Sequence, residues 1–234
     1  MQLFYNSNIK KEDTTFTFDK EESNHIVKVL RKKESDLILL SNGNGSLFTC
    51  EITIASDKKC QVKIVDSQFI DSKKYKVHLA VAPTKMNDRY ECFLEKATEI
   101  GIDEITPIIC DHSERKVFKT DRAEKIVQSA MKQSLQYYLP KINSPIPFSD
   151  FIKKNHDESK YIAHCEEQNK KSFKDCIKTN ENILILIGPE GDFSLNEIEL
   201  ALKNNFVPVT LGKTRLRTET AAIVACHTIA LINE

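Results

Sequence analysis

The sequence lacks any run of apolar residues close to the ~20 that cross a membrane. Residues 1–13 also lack the apolar core of a signal peptide. Apolar residues make up 40% and charged residues 29% of the chain, which is typical of a globular protein. The sequence therefore predicts a soluble, cytoplasmic protein with no membrane partner, long enough at 234 residues to bury a substantial core.

The seven cysteines form no CxxC pair, and their number is odd. This spacing suits neither a zinc site nor a disulfide scaffold. Several cysteines lie within apolar runs, where cysteine behaves as a small hydrophobic residue. We therefore expect reduced structural thiols and no bound metal. The residues concerned are Cys50, Cys60, Cys92, Cys110, Cys165, Cys176 and Cys226.

The chain also has no net charge, since 34 basic side chains balance 34 acidic ones. A surface that is basic throughout, which is common among nucleic-acid-binding proteins, is thereby excluded. A local basic groove remains compatible with this balance, because attraction to phosphate depends on where the charges lie.

The first part of the chain, residues 1–70, predicts a small β-barrel domain with one helix. Residues 42–45, Asn-Gly-Asn-Gly, give a strong turn signal between two apolar stretches. Alternation of apolar and polar residues predicts the flanking strands. These stretches are residues 16–18, 37–40, 47–54 and 60–64.

The single helix of this domain is predicted to begin after Asp19. Asp19 can cap the helix, with Glu22 three residues further on as in a capping box. Ile26, Val29 and Leu30 recur at helical spacing and are predicted to form its buried stripe.

The second part, residues 75–234, alternates strands with helices, which predicts an α/β domain with a mostly parallel sheet. Ligands bind such sheets at the carboxyl ends of their strands. The predicted strands are residues 77–81, 105–109, 161–164, 183–187 and 207–211. The predicted helices are residues 89–100, 122–135, one that starts at Ser194 with Glu197 as its capping-box partner, and 218–232, with Thr218 as a possible cap.

One candidate binding loop follows the fully apolar strand 183–187. It reads Gly188-Pro189-Glu190-Gly191-Asp192, and its glycines allow a ligand to approach closely or the backbone to adopt a positive φ. An ordinary tight turn before a helix explains the same residues. The dinucleotide and phosphate-loop patterns are both missing, and a glutamate would repel phosphate. The loop therefore favours a ligand that is partly cationic or neutral.

The second candidate loop follows the last strand and contains Lys213, Arg215 and Arg217 before a helix begins. A run of charges is usually a solvated surface. Here it lies between a buried strand and a buried helix, where unpaired cations are unfavourable. This position favours a functional loop.

Together these segments resemble a known family. LILIGPEGDFSLNEIE and LGKTRLRTETAA are similar to the paired signature of the bacterial methyltransferases that modify uracil N3 in 16S ribosomal RNA. HIVKVLRKK, RYECFLEKATEIGIDEITPI and KQSLQYYLPKI agree in the same order, so the resemblance covers nearly the whole chain. These enzymes belong to the SPOUT class.

The resemblance implies an N-terminal PUA-like β-barrel that binds RNA and a C-terminal α/β domain with a trefoil knot. It also implies S-adenosylmethionine as the cofactor, a homodimer, and 16S rRNA of the small ribosomal subunit as the partner. Three positions depart from the family pattern: Asp192 replaces a common glycine, Gln136 a common arginine, and Lys132 a usual glutamate.

The site residues follow from the two loops and the resemblance. A cation near the base would stabilise negative charge that develops on the uracil, and Arg217, then Arg215, are the candidates. Glu190 is a candidate for a cofactor contact or, as an alternative, for the base. The expected cofactor-binding residues are His164, Ile187, Gly188, Pro189, Glu190, Gly191, Leu211, Gly212, Leu216, Arg217, Thr218 and Glu219. The expected RNA-binding residues are His25, Arg31, Lys32, Lys33, Lys85, Arg89 and Lys96.

Several alternatives stay open at this point. Lys96 can form structural pairs on a helix surface, and residues 25–33 can be a solvated helix end. The whole chain can also be a non-catalytic RNA-binding protein, or an enzyme of the same fold with another target, such as tRNA or a ribose 2′-hydroxyl.

Overall fold

The computed structural model of the chain describes residues 2–166 and 170–234. It contains two compact units. One comprises residues 1–72 together with 131–139, and the other residues 73–130 and 140–234.

The first unit is built on a five-stranded sheet in the order β1-β3-β4-β5-β2. The pair β1–β3 is parallel, and the other three pairs are antiparallel. One face of the sheet packs on a helical segment around a core that includes Phe4, Phe48 and Ile26. The strands are β1 (Leu3–Tyr5), β2 (Thr15–Thr17), β3 (Leu37–Ser41), β4 (Ser46–Ile54) and β5 (Gln61–Phe69), and the helical segment is α1 (Lys20–Asn24) followed by a π-helical turn (His25–Val29).

The predicted turn between β3 and β4 is confirmed. Gly43 and Gly45 both have positive φ, 73° and 86°. A Cβ on Gly45 would lie 2.7 Å from the carbonyl oxygen of Ile70, so a side chain has no room there. Glycine is required at this position by both backbone angle and packing.

The predicted start of α1 is also confirmed, but the predicted buried stripe is partly wrong. The Asp19 carboxylate accepts a hydrogen bond from the Glu22 amide at 2.9 Å. Ile26 is fully buried, whereas Val29 is 63% exposed. The cause is the π-helical turn, in which the amide of Leu30 bonds to the carbonyl of His25. This wider turn shifts the buried face, and Val27 packs against the core instead.

Lys132, one of the departures from the family pattern, has a partner within this unit. Its ammonium lies 2.8 Å from the carboxylate of Glu22, and both side chains are about three-quarters buried. The same carboxylate lies 3.5 Å from the imidazole of His25. A glutamate at position 132 would face Glu22, so lysine at this position matches the acidic residue opposite it.

The second unit contains a sheet whose strand pairs are all parallel, in the order β11-β13-β10-β12-β6-β7-β8, with β9 paired to β7. The central strands β6 and β12 are buried along their whole length, as expected for a parallel sheet covered on both faces. The strands are β6 (Val77–Val81), β7 (Glu104–Ile109), β8 (Lys141–Ile142), β9 (Ile146–Pro147), β10 (Ser159–Ala163), β11 (Lys171–Ser172), β12 (Ile183–Ile187) and β13 (Val207–Thr210).

Six helices of the described residues accompany this sheet. They are α2 (Asn87–Ile100), α3 (Thr120–Ser134), α4 (Phe148–Ile152), α5 (Phe173–Cys176), α6 (Leu195–Lys203) and, at the C-terminal end, α7 (Thr218–Asn233), of which α3 contributes its last four residues to the first unit. Gly101 ends α2 with φ 101°. Ser194 and Glu197 form the predicted capping box of α6. The short elements β8, β9, α4, β11 and α5 were not predicted.

Among residues 2–166 and 170–234, no helix is long and apolar enough to cross a membrane, and no cluster of side chains suits a metal ion. All seven cysteines are free, and Cys50, Cys60, Cys110 and Cys226 are buried.

Candidate active site

A cavity of about 310 Å³ lies at the carboxyl ends of β10, β12 and β13, which are neighbours in the sheet. Both predicted binding loops line it. This is the edge at which open α/β sheets bind ligands. The lining residues are Ala163, His164, Cys165, Ile187, Gly188, Pro189, Glu190, Asp192, Val209, Thr210, Leu211, Gly212, Thr214, Arg215, Leu216, Arg217, Thr218 and Ala221.

The loop after β12 forms a tight turn, in which the Asp192 amide donates to the carbonyl of Pro189 at 2.9 Å. The expectation that its glycines supply a positive φ is wrong. The positive φ, 64°, belongs to Asp192. Gly188 is needed for packing instead, because a Cβ there would lie 3.1 Å from the ring of Phe193.

The backbone conformation and contacts at position 192 account for aspartate where the family commonly has glycine. Aspartate tolerates the left-handed conformation better than most residues, because its short side chain bonds locally. One carboxylate oxygen accepts from the Phe193 amide at 2.9 Å. The other accepts from the Cys165 amide at 2.7 Å and so joins this loop to the end of β10.

The prediction that Thr218 caps the last helix is wrong. Arg217 occupies the cap position and makes no side-chain capping bond, while Thr218 is the first helical residue. The Thr218 hydroxyl donates to the carbonyl of Gly188 at 3.0 Å. This bond joins the start of α7 to the loop after β12, so the two predicted loops meet directly.

Arg215 and Arg217 both line the cavity and are exposed. Within the part of the chain that the structure describes, neither guanidinium has an ion pair or a hydrogen bond. Both are therefore free to meet an anion or a developing negative charge.

His164, at the end of β10, is 6% exposed, and both of its ring nitrogens are buried without a hydrogen-bond partner. Burial lowers the pKa of this imidazole, and the nearby Lys170 lowers it further against the opposing effect of Asp192. The ring is thus neutral at pH 7.

Glu190 occupies the tip of the loop after β12 and faces the start of α2. One of its carboxylate oxygens accepts from the Lys85 amide at 3.0 Å. The Lys85 ammonium itself pairs with Glu114 at 2.7 Å. Glu190 therefore retains one carboxylate oxygen for a ligand while the other holds the loop in place.

Gly191 and Glu219 were expected at the cofactor but do not line the cavity. Gly191 packs against His112, whose imidazole lies 3.1 Å from the Gly191 carbonyl oxygen. Glu219 faces Arg89, with 3.9 Å between carboxylate and guanidinium. Sequence reasoning missed six lining residues of the described chain. Ala163, Val209 and Thr210 lie at strand ends, Asp192 and Thr214 in the two loops, and Ala221 in α7.

The remaining expected RNA-binding residues differ in their partners. Lys96 lies between Glu95 and Glu99, at 2.8 and 2.9 Å, which favours the structural alternative for this residue. In the first unit, His25 pairs with Glu22, whereas Arg31 and Lys33 are exposed and Lys32 is half-buried.

The cavity thus combines an apolar interior with charges at its exposed side. Ala163, Ile187 and Val209 are aligned in the sheet beneath it. Glu190, Arg215 and Arg217 supply charges of both signs. Such a site suits a ligand with a flat neutral part and an end that carries both charges.

Comparison with known proteins gives two family matches. The RNA methyltransferase domain matches residues 71–230, and the RNA methyltransferase PUA domain matches residues 18–65.

Individual proteins agree with these matches. The chain is 31% identical to ribosomal RNA small subunit methyltransferase E of Rickettsia conorii, over 99% of this chain and 95% of that protein. A probable rRNA-methyltransferase from Porphyromonas gingivalis has a TM-score of 0.92 and 39% identity, covering 100% of this chain and 98% of that one. Ribosomal RNA small subunit methyltransferase E from Neisseria gonorrhoeae, bound to S-adenosyl methionine, has a TM-score of 0.90 and 26% identity, covering 100% and 98%.

Proposed function

Because the chain belongs to the RNA methyltransferase family and carries that family's PUA domain, we propose that it methylates 16S rRNA of the small ribosomal subunit. Its methyl donor is S-adenosylmethionine, and its target is N3 of a specific uridine. The observation that carries this proposal is the cavity at the ends of β10, β12 and β13, which the two signature loops line. The related N. gonorrhoeae enzyme binds the same cofactor.

The residues of the cavity fit S-adenosylmethionine. Its adenosine is flat and neutral, which suits the apolar interior formed by Ile187 and Leu211. The unpartnered nitrogens of His164 offer hydrogen bonds there. The amino-acid end carries an ammonium and a carboxylate, which suit Glu190 and Arg215 respectively. A Cβ on Gly212 would meet no atom within 4 Å, so this side of the cavity is open to a ligand. The other proposed binding residues also line the cavity and are Gly188, Pro189, Leu216 and Thr218.

The bound cofactor supplies an electrophilic methyl group. The protein must hold the uracil beside it with N3 unpaired, which requires the base to leave any helix. Transfer of the N3 proton to a base, for which Glu190 is the candidate, leaves negative charge on the uracil carbonyl oxygens. Arg217, with Arg215 as a second cation, stabilises that charge, since neither guanidinium is neutralised by an acidic partner among the described residues.

RNA is proposed to contact both units. In the first unit, the exposed Arg31 and Lys33, with Lys32 and His25, lie at the end of the helical segment and can bind phosphate. In the second unit, the proposed contacts are Lys85, Arg89 and Lys96. The first unit acts as a PUA-like β-barrel, to which the structure adds residues 131–139 beyond the predicted 1–70. The second unit, residues 73–130 and 140–234, acts as the catalytic domain, knotted as a trefoil. The enzyme works as a cytoplasmic homodimer.

Two experiments test this function. Calorimetry with S-adenosylmethionine is expected to show binding; no binding at millimolar cofactor would support the non-catalytic alternative. Mass mapping of nucleosides in small-subunit RNA from a deletion strain is expected to show loss of N3-methyluridine. Persistence of that nucleoside, or loss of a modification from tRNA or a ribose, would reject the proposed target.

A further inference from the structure

Two histidines of the second unit are equally buried but differ in their partners. His78 and His164 are each 6% exposed. The ring of His78 lies 2.8 Å from the Thr106 hydroxyl and 3.7 Å from the Glu158 carboxylate. The ring of His164 has no partner on either nitrogen in the described part of the chain.

An unpaired polar group is unfavourable in a protein interior, and such groups are rare unless a ligand completes them. His164 lines the cavity, so a ligand held there lies against this residue. A neutral imidazole offers one hydrogen-bond donor and one acceptor. It therefore matches a ligand that presents an acceptor and a donor of its own.

The backbone on each side of this ring is fixed. The Cys165 amide donates to Asp192 at 2.7 Å, and the ammonium of Lys170 donates to the His164 carbonyl at 2.6 Å. His164 also follows Ala163, which pairs in the sheet with both Ile187 and Val209. The backbone that carries the imidazole is thus anchored at the carboxyl end of β10, although neither ring nitrogen has a partner among the described residues.

We infer that His164 recognises the adenosine part of the cofactor by hydrogen bonding, and that Asp192 and Lys170 position it for this contact. This inference rests on the proposed function. The charged end of the cofactor has other partners, because Arg215, Arg217 and Glu190 supply charge on the exposed side of the cavity. The neutral imidazole matches the nitrogens and hydroxyls of a nucleoside instead.

The test uses two ligands, S-adenosylmethionine and 5′-methylthioadenosine, which keeps the nucleoside and lacks the amino-acid end. By calorimetry, His164→Ala is expected to weaken both about tenfold, the effect of one lost hydrogen bond to a buried group. His164→Gln keeps a donor and an acceptor and is expected to lose less. The melting temperature of the free His164→Ala protein is expected to equal or exceed that of the natural protein.

His78→Ala is the matched control. It removes an equally buried histidine that has partners, so it is expected to lower the melting temperature and leave the affinity for methylthioadenosine unchanged.

Unchanged affinity of His164→Ala for methylthioadenosine would overturn the inference. If His164→Gln loses as much affinity as His164→Ala, the side chain acts through its shape alone, which would also overturn the inference. A fall in melting temperature like that of His78→Ala would make His164 a structural residue. If the natural protein binds neither ligand, the proposed function itself fails.

Discussion

At the scale of single residues, Arg217 combines two properties: it lines the cavity, and its guanidinium has no acidic partner within the described residues. Arg217→Ala is expected to lower the methyl-transfer rate about 10²-fold, because a cation that stabilises the developing charge is removed. The affinity for S-adenosylmethionine is expected to change only a few-fold. Single-turnover kinetics and calorimetry measure the two quantities separately.

Lys213→Ala is the control for this prediction, since Lys213 lies in the same loop but does not line the cavity. It is expected to retain normal turnover. Near-normal turnover in Arg217→Ala would remove that residue from the mechanism.

The sequence predicted both loops of the cavity but not their internal geometry. Glycine suggested where the backbone bends, yet the positive φ belongs to Asp192. The two bonds that make aspartate suitable there involve Phe193, its neighbour, and Cys165, which follows another strand. Thr218 bonds to Gly188, also from a different strand end. Such contacts depend on strand order in the sheet, which local sequence does not specify.

At the scale of elements, the contact between Glu22 in α1 and Lys132 in α3 is a charge pair that can be reversed. Lys132→Glu is expected to lower the free energy of unfolding by about 1–3 kcal/mol, because it puts two carboxylates together in a partly buried position. Glu22→Lys combined with Lys132→Glu is expected to recover much of that loss. Urea unfolding of the single and double variants measures the coupling.

The charge reversal of Glu199 and Lys203 on α6 is a suitable control, because both side chains are about two-thirds or more exposed. It is expected to change stability little. If the double variant of Glu22 and Lys132 is no more stable than Lys132→Glu alone, the charge pair does not account for lysine at position 132.

Elements of five or more residues with a clear period were largely predicted, and shorter ones were not. Strands β6 and β12 were predicted at their exact ends because β12 is an apolar run and β6 is apolar apart from His78. The π-helical turn was missed, and with it the exposure of Val29, because a wider turn leaves no mark in an apolar pattern that assumes 3.6 residues per turn. Elements such as β8 and β9 contain only two residues, too few to show a period.

At the scale of the whole molecule, acid stability is expected to depend on Glu158. The His78 imidazole, 3.7 Å away, is the main cause that lowers the pKa of this carboxyl to about 2 from its ordinary 4.5. Its contribution to stability is therefore complete above pH 4.5 and is lost as the pH falls from 4.5 towards 2. Glu158→Gln is expected to be less stable at pH 7 by about 1–3 kcal/mol and to decline less over that interval.

Denaturant titrations at several pH values measure this difference. Glu199→Gln removes an exposed carboxylate and is expected to leave the acid profile unchanged. An equal decline in Glu158→Gln and the natural protein between pH 4.5 and 2 would show that other carboxyls control acid unfolding.

The alternation of strands and helices predicted a parallel sheet, and the sheet pairs are indeed parallel. The order of strands was not predicted, because many orders satisfy the same alternation. The family resemblance supplied what the physical pattern could not, since it identified the cofactor and the target from residues whose spacing alone predicted only a binding loop.

The strand order has a consequence for synthesis on the ribosome. Strand β6 receives its second neighbour only when β12 has emerged, since Val77 pairs with Ile183. Strand β10 pairs only with β12 and β13, both of which follow it in the chain. Pairing between such distant segments is slow, and an unpaired apolar edge is prone to associate with other chains. The cavity at the ends of β10, β12 and β13 can therefore form only after β13 and the start of α7 have emerged. A nascent chain that stalls before β13 exposes β10 with one edge uncovered.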